Sequence, residues 1–232
     1  MKRAVISAAA VLILSAAIVT LIVTKPFGLS RAAIDRDFEN SLVSLYSSMI
    51  EDREVAATVD GEPIYRSHIE FNVEYGNLIK GYSKSVIPKD DLTSSQYELL
   101  NKPPAGYEEF LKLEIQEVAV CHAAEKIGIT GDYEKKLKEV KERFGTIISA
   151  ADIPNAGDYF KNTSRILEKI MAMYDSEEDF YREMAKKENR YSITTEYDER
   201  YLEGLSGTKE AKKELLQKHK EDLVSKADVV IY

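Results

Sequence analysis

Three histidines, one cysteine and several carboxylate pairs are the side chains from which an active site in this chain would have to be built. A metal centre needs ligands at close, regular spacing on one element. His68, His122 and His219 fall in three separate predicted helices, none within four residues of another. They read as surface or boundary residues, with no metal-ligand spacing among them. Acid–base chemistry needs carboxylates or imidazoles with shifted affinities for protons. Glu108-Glu109, Glu177-Glu178 and Glu221-Asp222 lie on predicted helix surfaces, where they read as solvated faces and partners of helix N-terminal dipoles. Cys121 ends the apolar stretch Val118-Ala119-Val120-Cys121 and reads as a small buried hydrophobe, not a nucleophile. The chain has no nucleophile elbow, phosphate-binding glycine loop or dinucleotide fingerprint. Asn162-Thr163-Ser164 matches a glycosylation sequon by chance inside a predicted helix. No catalytic, metal-binding or cofactor-binding residue is expected, and no cofactor.

The elements that would position these residues begin after an apolar leader. The chain has 232 residues. Lys2 and Arg3 precede an uncharged run, Ala4–Thr24, of 21 residues. As a helix it would be about 31 Å long, close to the hydrocarbon core of a bilayer. It is expected to be a transmembrane signal-anchor with the N-terminus in the cytoplasm and the rest outside. A cleaved signal peptide is the alternative, with a small-x-small site at Ser30-Arg31-Ala32 that lies late, after Lys25 and Pro26. Residues 1–30 are therefore read as basic tip, membrane helix and linker, and 31–232 as one extracytoplasmic domain. Without Lys2 and Arg3 the chain carries 30 basic against 40 acidic residues, a net charge of −10. That argues against nucleic acid and against a polybasic membrane-surface site. With one cysteine, no intrachain disulfide can form, so an exported domain must rest on its core.

Helices dominate the pattern. Ile34, Phe38, Leu42, Leu45 and Met49 share one face of a helix over about 31–52. Val55–Val59, Asp60-Gly61 and Glu62–Tyr65 read as a tight hairpin. Ser67 and Glu70 form a capping-box pattern for a helix to about Lys80. A proline-bearing loop follows to Gly106, with a short helix at Ser95–Leu100. Tyr107–Ile127 is apolar over a wide arc and should be the central helix, ended by Gly128. A charged helix over about 130–148 carries a thin stripe of Leu137, Val140 and Phe144. Pro154–Gly157 is a turn. Phe160, Leu167, Ile170, Met171 and Tyr174 mark the next helix. Asp175 or Ser176 caps another, with Phe180, Tyr181 and Met184 inward, and a helix or broken helix carries Tyr197, Tyr201, Leu202 and Leu205. Lys209–Lys226 is the last helix, and Ala227–Tyr232 reads as a strand. An isolated hairpin is marginal in water, so this last strand should complete a sheet with 55–65. The fold class is mainly α: an N-terminal transmembrane helix, then a helical domain with a small sheet made by the hairpin and the C-terminal strand.

Val59-Asp60-Gly61-Glu62-Pro63-Ile64, followed by Ser67 and a helix, resembles the opening of the chaperone domain in exported SurA- and PrsA-like foldases. Ala123-Ala124-Glu125-Lys126-Ile127-Gly128-Ile129-Thr130, closing a long apolar helix ahead of a charged one, is similar to the same family, as is Lys226-Ala227-Asp228-Val229-Val230-Ile231 in character. The resemblance spans roughly residues 55–232. It implies an ATP-independent holdase that shields unfolded or partly folded exported polypeptides, with no nucleotide and no nucleic acid as partners and with the N-terminal helix in the membrane. The interval 131–206 has no room for the family's parvulin module, so prolyl isomerisation is not expected. A client groove would draw on aromatic and methionine side chains, with Met171, Met173, Tyr174 and Tyr181 as candidates. The competing reading is a non-catalytic interaction subunit of a cell-envelope or secretion assembly; a degenerate isomerase is a distant third. Oligomeric state is left open.

Overall fold

The computed structural model describes residues 29–88, 90, 92–153 and 158–232. Asp60 and Gly61 both take positive φ, 50° and 85°, as a two-residue hairpin turn requires. They join β1 (Val55–Val59) to β2 (Glu62–Tyr65), which pair antiparallel from Val59↔Glu62 to Val55↔Tyr65 with a bulge between Val55 and Ala57. β3 (Val229–Ile231) pairs antiparallel on the other side of β1, Val59 opposite Val229 and Ala57 opposite Ile231. The sheet order is therefore β2-β1-β3, and the two ends of the domain meet at β1. Asp60 clamps the junction. Its amide donates to the Asp228 carbonyl (2.9 Å), and its carboxylate accepts from the Asp228 amide (2.8 Å). A Cβ on Gly61 would meet no atom within 4 Å. Gly61→Ala should therefore destabilise through backbone strain alone, by about 1–2 kcal/mol. Urea unfolding measures it; no loss would mean the hairpin turn is not held in this conformation.

Eight helices surround the sheet among the described residues: α1 (Leu29–Glu51), α2 (Arg66–Val86), α3 (Ser94–Asn101), α4 (Tyr107–Lys126), α5 (Tyr133–Ala151), α6 (Asp158–Met171), α7 (Glu177–Glu203) and α8 (Lys209–Lys226). The expected fold class is corrected in one respect. No helix among the described residues is long and apolar enough to cross a membrane. The longest, α7, has 14 charged residues among its 27 positions. The described fold is thus a mainly helical domain with a three-stranded antiparallel sheet, without a transmembrane helix. The run Ala4–Thr24, on which that expectation rested, lies outside the described residues, as does the turn Pro154–Gly157.

Local signals were overridden in three places. The Ser67–Glu70 capping box does not form. The helix starts at Arg66, its N-cap Tyr65 makes no side-chain bond, and Ser67 is buried in the first turn. The Ser67 hydroxyl instead donates to the Asp52 carbonyl (2.8 Å), with the Met49 carbonyl at 3.2 Å, satisfying the end of α1. Second, α2 does not stop at Lys80 but runs through Gly81 to Val86. Tyr82, Ser83 and Val86 are buried, and the Tyr82 ring lies 4.3 Å from that of Phe38. Packing there outweighs the helix cost of glycine, about 1 kcal/mol. Third, 177–203 is one helix, not two, opened by the Ser176 hydroxyl accepting from the Asp179 amide. The short helix α3 carries a complete capping box of Thr93 and Gln96.

The apolar core has two main sectors. One gathers Leu42, Tyr46 and Met49 of α1, Tyr75 and Ile79 of α2, Val140, Leu167, Ile170 and Met171 of α5 and α6, and Phe180, Met184 and Ala185 of α7. The other lies under the sheet: Ala57, Val59 and Ile64 pack on Ile69 and on Leu111, Ile115 and Val118 of α4. It continues along α4 through Val120, Cys121 and Ala124 to Ile193 and Tyr197 of α7. Between the sectors, α4 and α7 face each other with charged side chains.

Candidate functional site

On α4, Glu114, Glu117 and Cys121 are three and four residues apart and share one face; on α7, Lys187 and Arg190 are three apart. The helices turn these faces toward each other and toward β2. Arg190 forms an ion pair with Glu62 of β2. Its charge also reaches Glu114 and Glu117. His122 binds two carboxylates, with Nε2 3.0 Å from Glu62 and Nδ1 3.3 Å from Asp60. Asn72 of α2 donates to Glu114 (3.3 Å), and the Lys187 ammonium lies 3.8 Å from the Met49 sulfur.

Enclosure shifts these groups far from their ordinary behaviour. Burial, then the neighbouring charge of Glu114, pushes Glu117 up to about 7, against the pull of Arg190 and Lys220. Burial raises Glu114 as well, opposed by Arg190 and Lys187. Burial lowers Lys187. His68, at the edge of the seam on α2, is pushed down to about 4 by burial and then by Lys187, Arg53 and Arg190. It is therefore a neutral imidazole at neutral pH. Burial pushes the Cys121 thiol up to about 12, which removes it as a thiolate nucleophile.

The third histidine is structural. The His219 ring stacks on Tyr201 at 4.1 Å and lies parallel to Tyr197, whose hydroxyl is 2.8 Å from Nε2. This stack ties α8 to α7. A second charged cluster joins α1 to α6. Glu39 of α1, 3% exposed, is held by Arg165 and by Lys169 (2.7 Å) of α6. Burial pushes Glu39 up, but the hydrogen bonds and charges of the two cations outweigh it and leave it below the usual carboxylate range.

Among the described residues, no three His, Cys, Asp or Glu side chains are placed to hold a metal ion. Two open depressions flank the helices. One, of about 570 Å³, lies between α1 and α2 beside Ser44, Leu45, Glu74 and Asn77. The other, of about 580 Å³, lies beside Asp60, His122, Glu125 and Lys126. Neither gathers a nucleophile, a base and an oxyanion donor.

The structure brings the four proposed client-binding residues together, but around the core rather than in a groove. Met171 is 5% exposed. Met173, Tyr174 and Tyr181 are half-buried against the same sector, and both tyrosine rings lie within 6 Å of Phe180. The larger exposed apolar side chains lie elsewhere: Val230, Ile231 and Tyr232 at the outer strand, Tyr97 and Leu99 on α3. Sequence reasoning missed the α4–α7 seam altogether. Its signal is the pair Glu114 and Glu117 set one turn apart in the middle of a helix rich in apolar residues, matched by Lys187 and Arg190 at the same spacing. No known protein family, no curated protein and no solved structure matches the chain.

Proposed function

We propose that the chain is a non-catalytic, ATP-independent holdase for exported polypeptides, of the SurA/PrsA type and without an isomerase module. One observation carries this reading. The hairpin that opens with Val59-Asp60-Gly61-Glu62-Pro63-Ile64 is completed by a strand from the other end of the domain, around the long apolar α4. That order of features is what the family resemblance implies. Lys2-Arg3 and the apolar run after them support export. The accessible edges of Met173, Tyr174 and Tyr181 are the proposed contacts for unfolded chains, with aromatic faces suited to varied apolar segments.

The test is light scattering from an aggregating model protein, with residues 31–232 added at rising ratio and without ATP, after circular dichroism has shown the domain to be helical. Suppression near an equimolar ratio is expected. A folded domain that suppresses nothing would overturn the holdase reading. The second reading, an interaction subunit with one fixed partner, would then stand, favoured by the exposed Val230, Ile231 and Tyr232 at the β3 edge.

A further inference from the structure

β3 is held by little besides backbone hydrogen bonds. Of its side chains only Val229 is half-buried, against the sector under the sheet. Val230 is 41% exposed, Ile231 62% and the following Tyr232 70%. No residue of α8, which leads into the strand, is buried. The surface that β3 covers is the opposite case. β1 is the central strand, and its Ala57 and Val59 are fully buried. β3 pairs with three residues of β1, Ala57, Thr58 and Val59, and the Tyr232 amide donates to the Ala56 carbonyl (3.0 Å). The near end of the strand is fixed by the two bonds between Asp60 and Asp228. Beyond Asp228 the strand has one half-buried side chain to back its hydrogen bonds, which is where local opening starts.

We propose that the edge of β1 under β3 is a binding site for an extended segment of a client polypeptide, and that residues 229–232 are its built-in occupant, displaced when the client strand arrives. This deepens the holdase reading and rests on it for the source of the strand. The occupant shows the chemistry that fits. It runs antiparallel to β1, carries no charge over Val229-Val230-Ile231-Tyr232, and is β-branched at the first three positions. Asp60 bonds Asp228 and Ala56 bonds Tyr232, so the pair between them, Thr58 with Val230, is a hydrogen-bonded one and needs an amide on the incoming strand. Recognition is therefore by the main chain, with one apolar side chain in the place of Val229, and many sequences satisfy it. A client strand can also run on past Ala57, where the strand pairing of β3 stops although β1 continues to Val55.

The probe is a fluorescein-labelled peptide with the sequence of residues 226–232, read by fluorescence anisotropy against the full chain. In the chain, Val230→Pro removes the amide that faces Thr58 and frees the edge. Peptide affinity should then rise about tenfold or more over wild type, because apparent affinity scales with the fraction of chains whose edge is free. Ala57→Cys combined with Ile231→Cys places a disulfide across a facing pair and locks β3 down. The oxidised protein should bind no peptide, and reduction should restore binding, which carries the test should Val230→Pro not fold. A peptide with proline in the place of Val230 should not bind any of these proteins. Peptide binding to the oxidised lock, equal binding of the two peptides, or no gain for a folded Val230→Pro would overturn displacement of β3. Suppression of aggregation by a chain that binds no peptide would remove this site and leave the holdase reading. Peptide exchange without suppression would do the reverse.

Discussion

Phe180→Ala should cost about 4 kcal/mol of folding stability, read as a fall in the urea midpoint at unchanged slope. Phe180 is 2% exposed, on the first turn of α7. Its ring centroid lies 5.2 Å from Phe144 of α5, 5.4 Å from Tyr174 and 5.6 Å from Tyr181. It therefore joins α5 and α7 to the segment after α6. Removing it deletes a large apolar surface and leaves a cavity walled by rings from α5, from the segment after α6 and from α7 itself. Such walls collapse poorly, which places the cost toward the upper part of the range for aromatic truncation. Phe180→Leu keeps most of the volume and should cost about 1–1.5 kcal/mol. A loss below about 1 kcal/mol for the alanine variant would show that these rings do not form a close-packed core.

The β-structure was readable from the chain because its determinants are local. Asp60-Gly61 supplies two positive-φ positions, and a hairpin that is marginal alone needs the third strand that 229–231 provides. The long apolar helix was readable for the same reason, from periodicity alone. The charged seam was not. Periodicity places Glu114 and Glu117 on one face of α4, but only the packing of α7 and β2 near that face makes it half-buried. Ser67 shows the converse failure. Ser-x-x-Glu is a real capping signal, yet the end of α1 lies close enough for its unpaired carbonyls to take the hydroxyl. A local preference worth about 1 kcal/mol yields to a long-range contact of similar strength that also satisfies a buried acceptor. The candidate client residues show why such a site is hard to read from the chain: Met171, Met173, Tyr174 and Tyr181 have the chemistry of a peptide-binding surface, and the same chemistry packs a helix seam.

His68→Asn should expose a hidden pH dependence. In the folded domain His68 takes a proton only near pH 4, whereas in the unfolded chain it does so near 6.5. Between these values the unfolded state binds a proton that the folded state refuses. The His68 contribution is therefore complete above about pH 6.5 and falls away as pH drops toward 4, by about 3 kcal/mol in all. Glu117 acts in the opposite sense. Its folded affinity, near pH 7, lies above the ordinary 4.5, so its contribution is complete below about pH 4.5 and is lost as pH rises through 7, again by about 3 kcal/mol. Over pH 4.5–6.5 the two slopes oppose each other and nearly cancel. Wild type should show little net dependence from this pair in that window. His68→Asn leaves Glu117 unopposed, so stability should decline with rising pH. Glu117→Gln removes one opponent of His68, so relative to wild type stability should increase with rising pH. The double variant should return to the shallow wild-type profile. Urea midpoints at pH 4.5, 5.5 and 6.5 for the four proteins decide it. Parallel profiles for the two single variants would mean that neither side chain is enclosed as the structure places it, and slopes of the same sign would break the opposition between them.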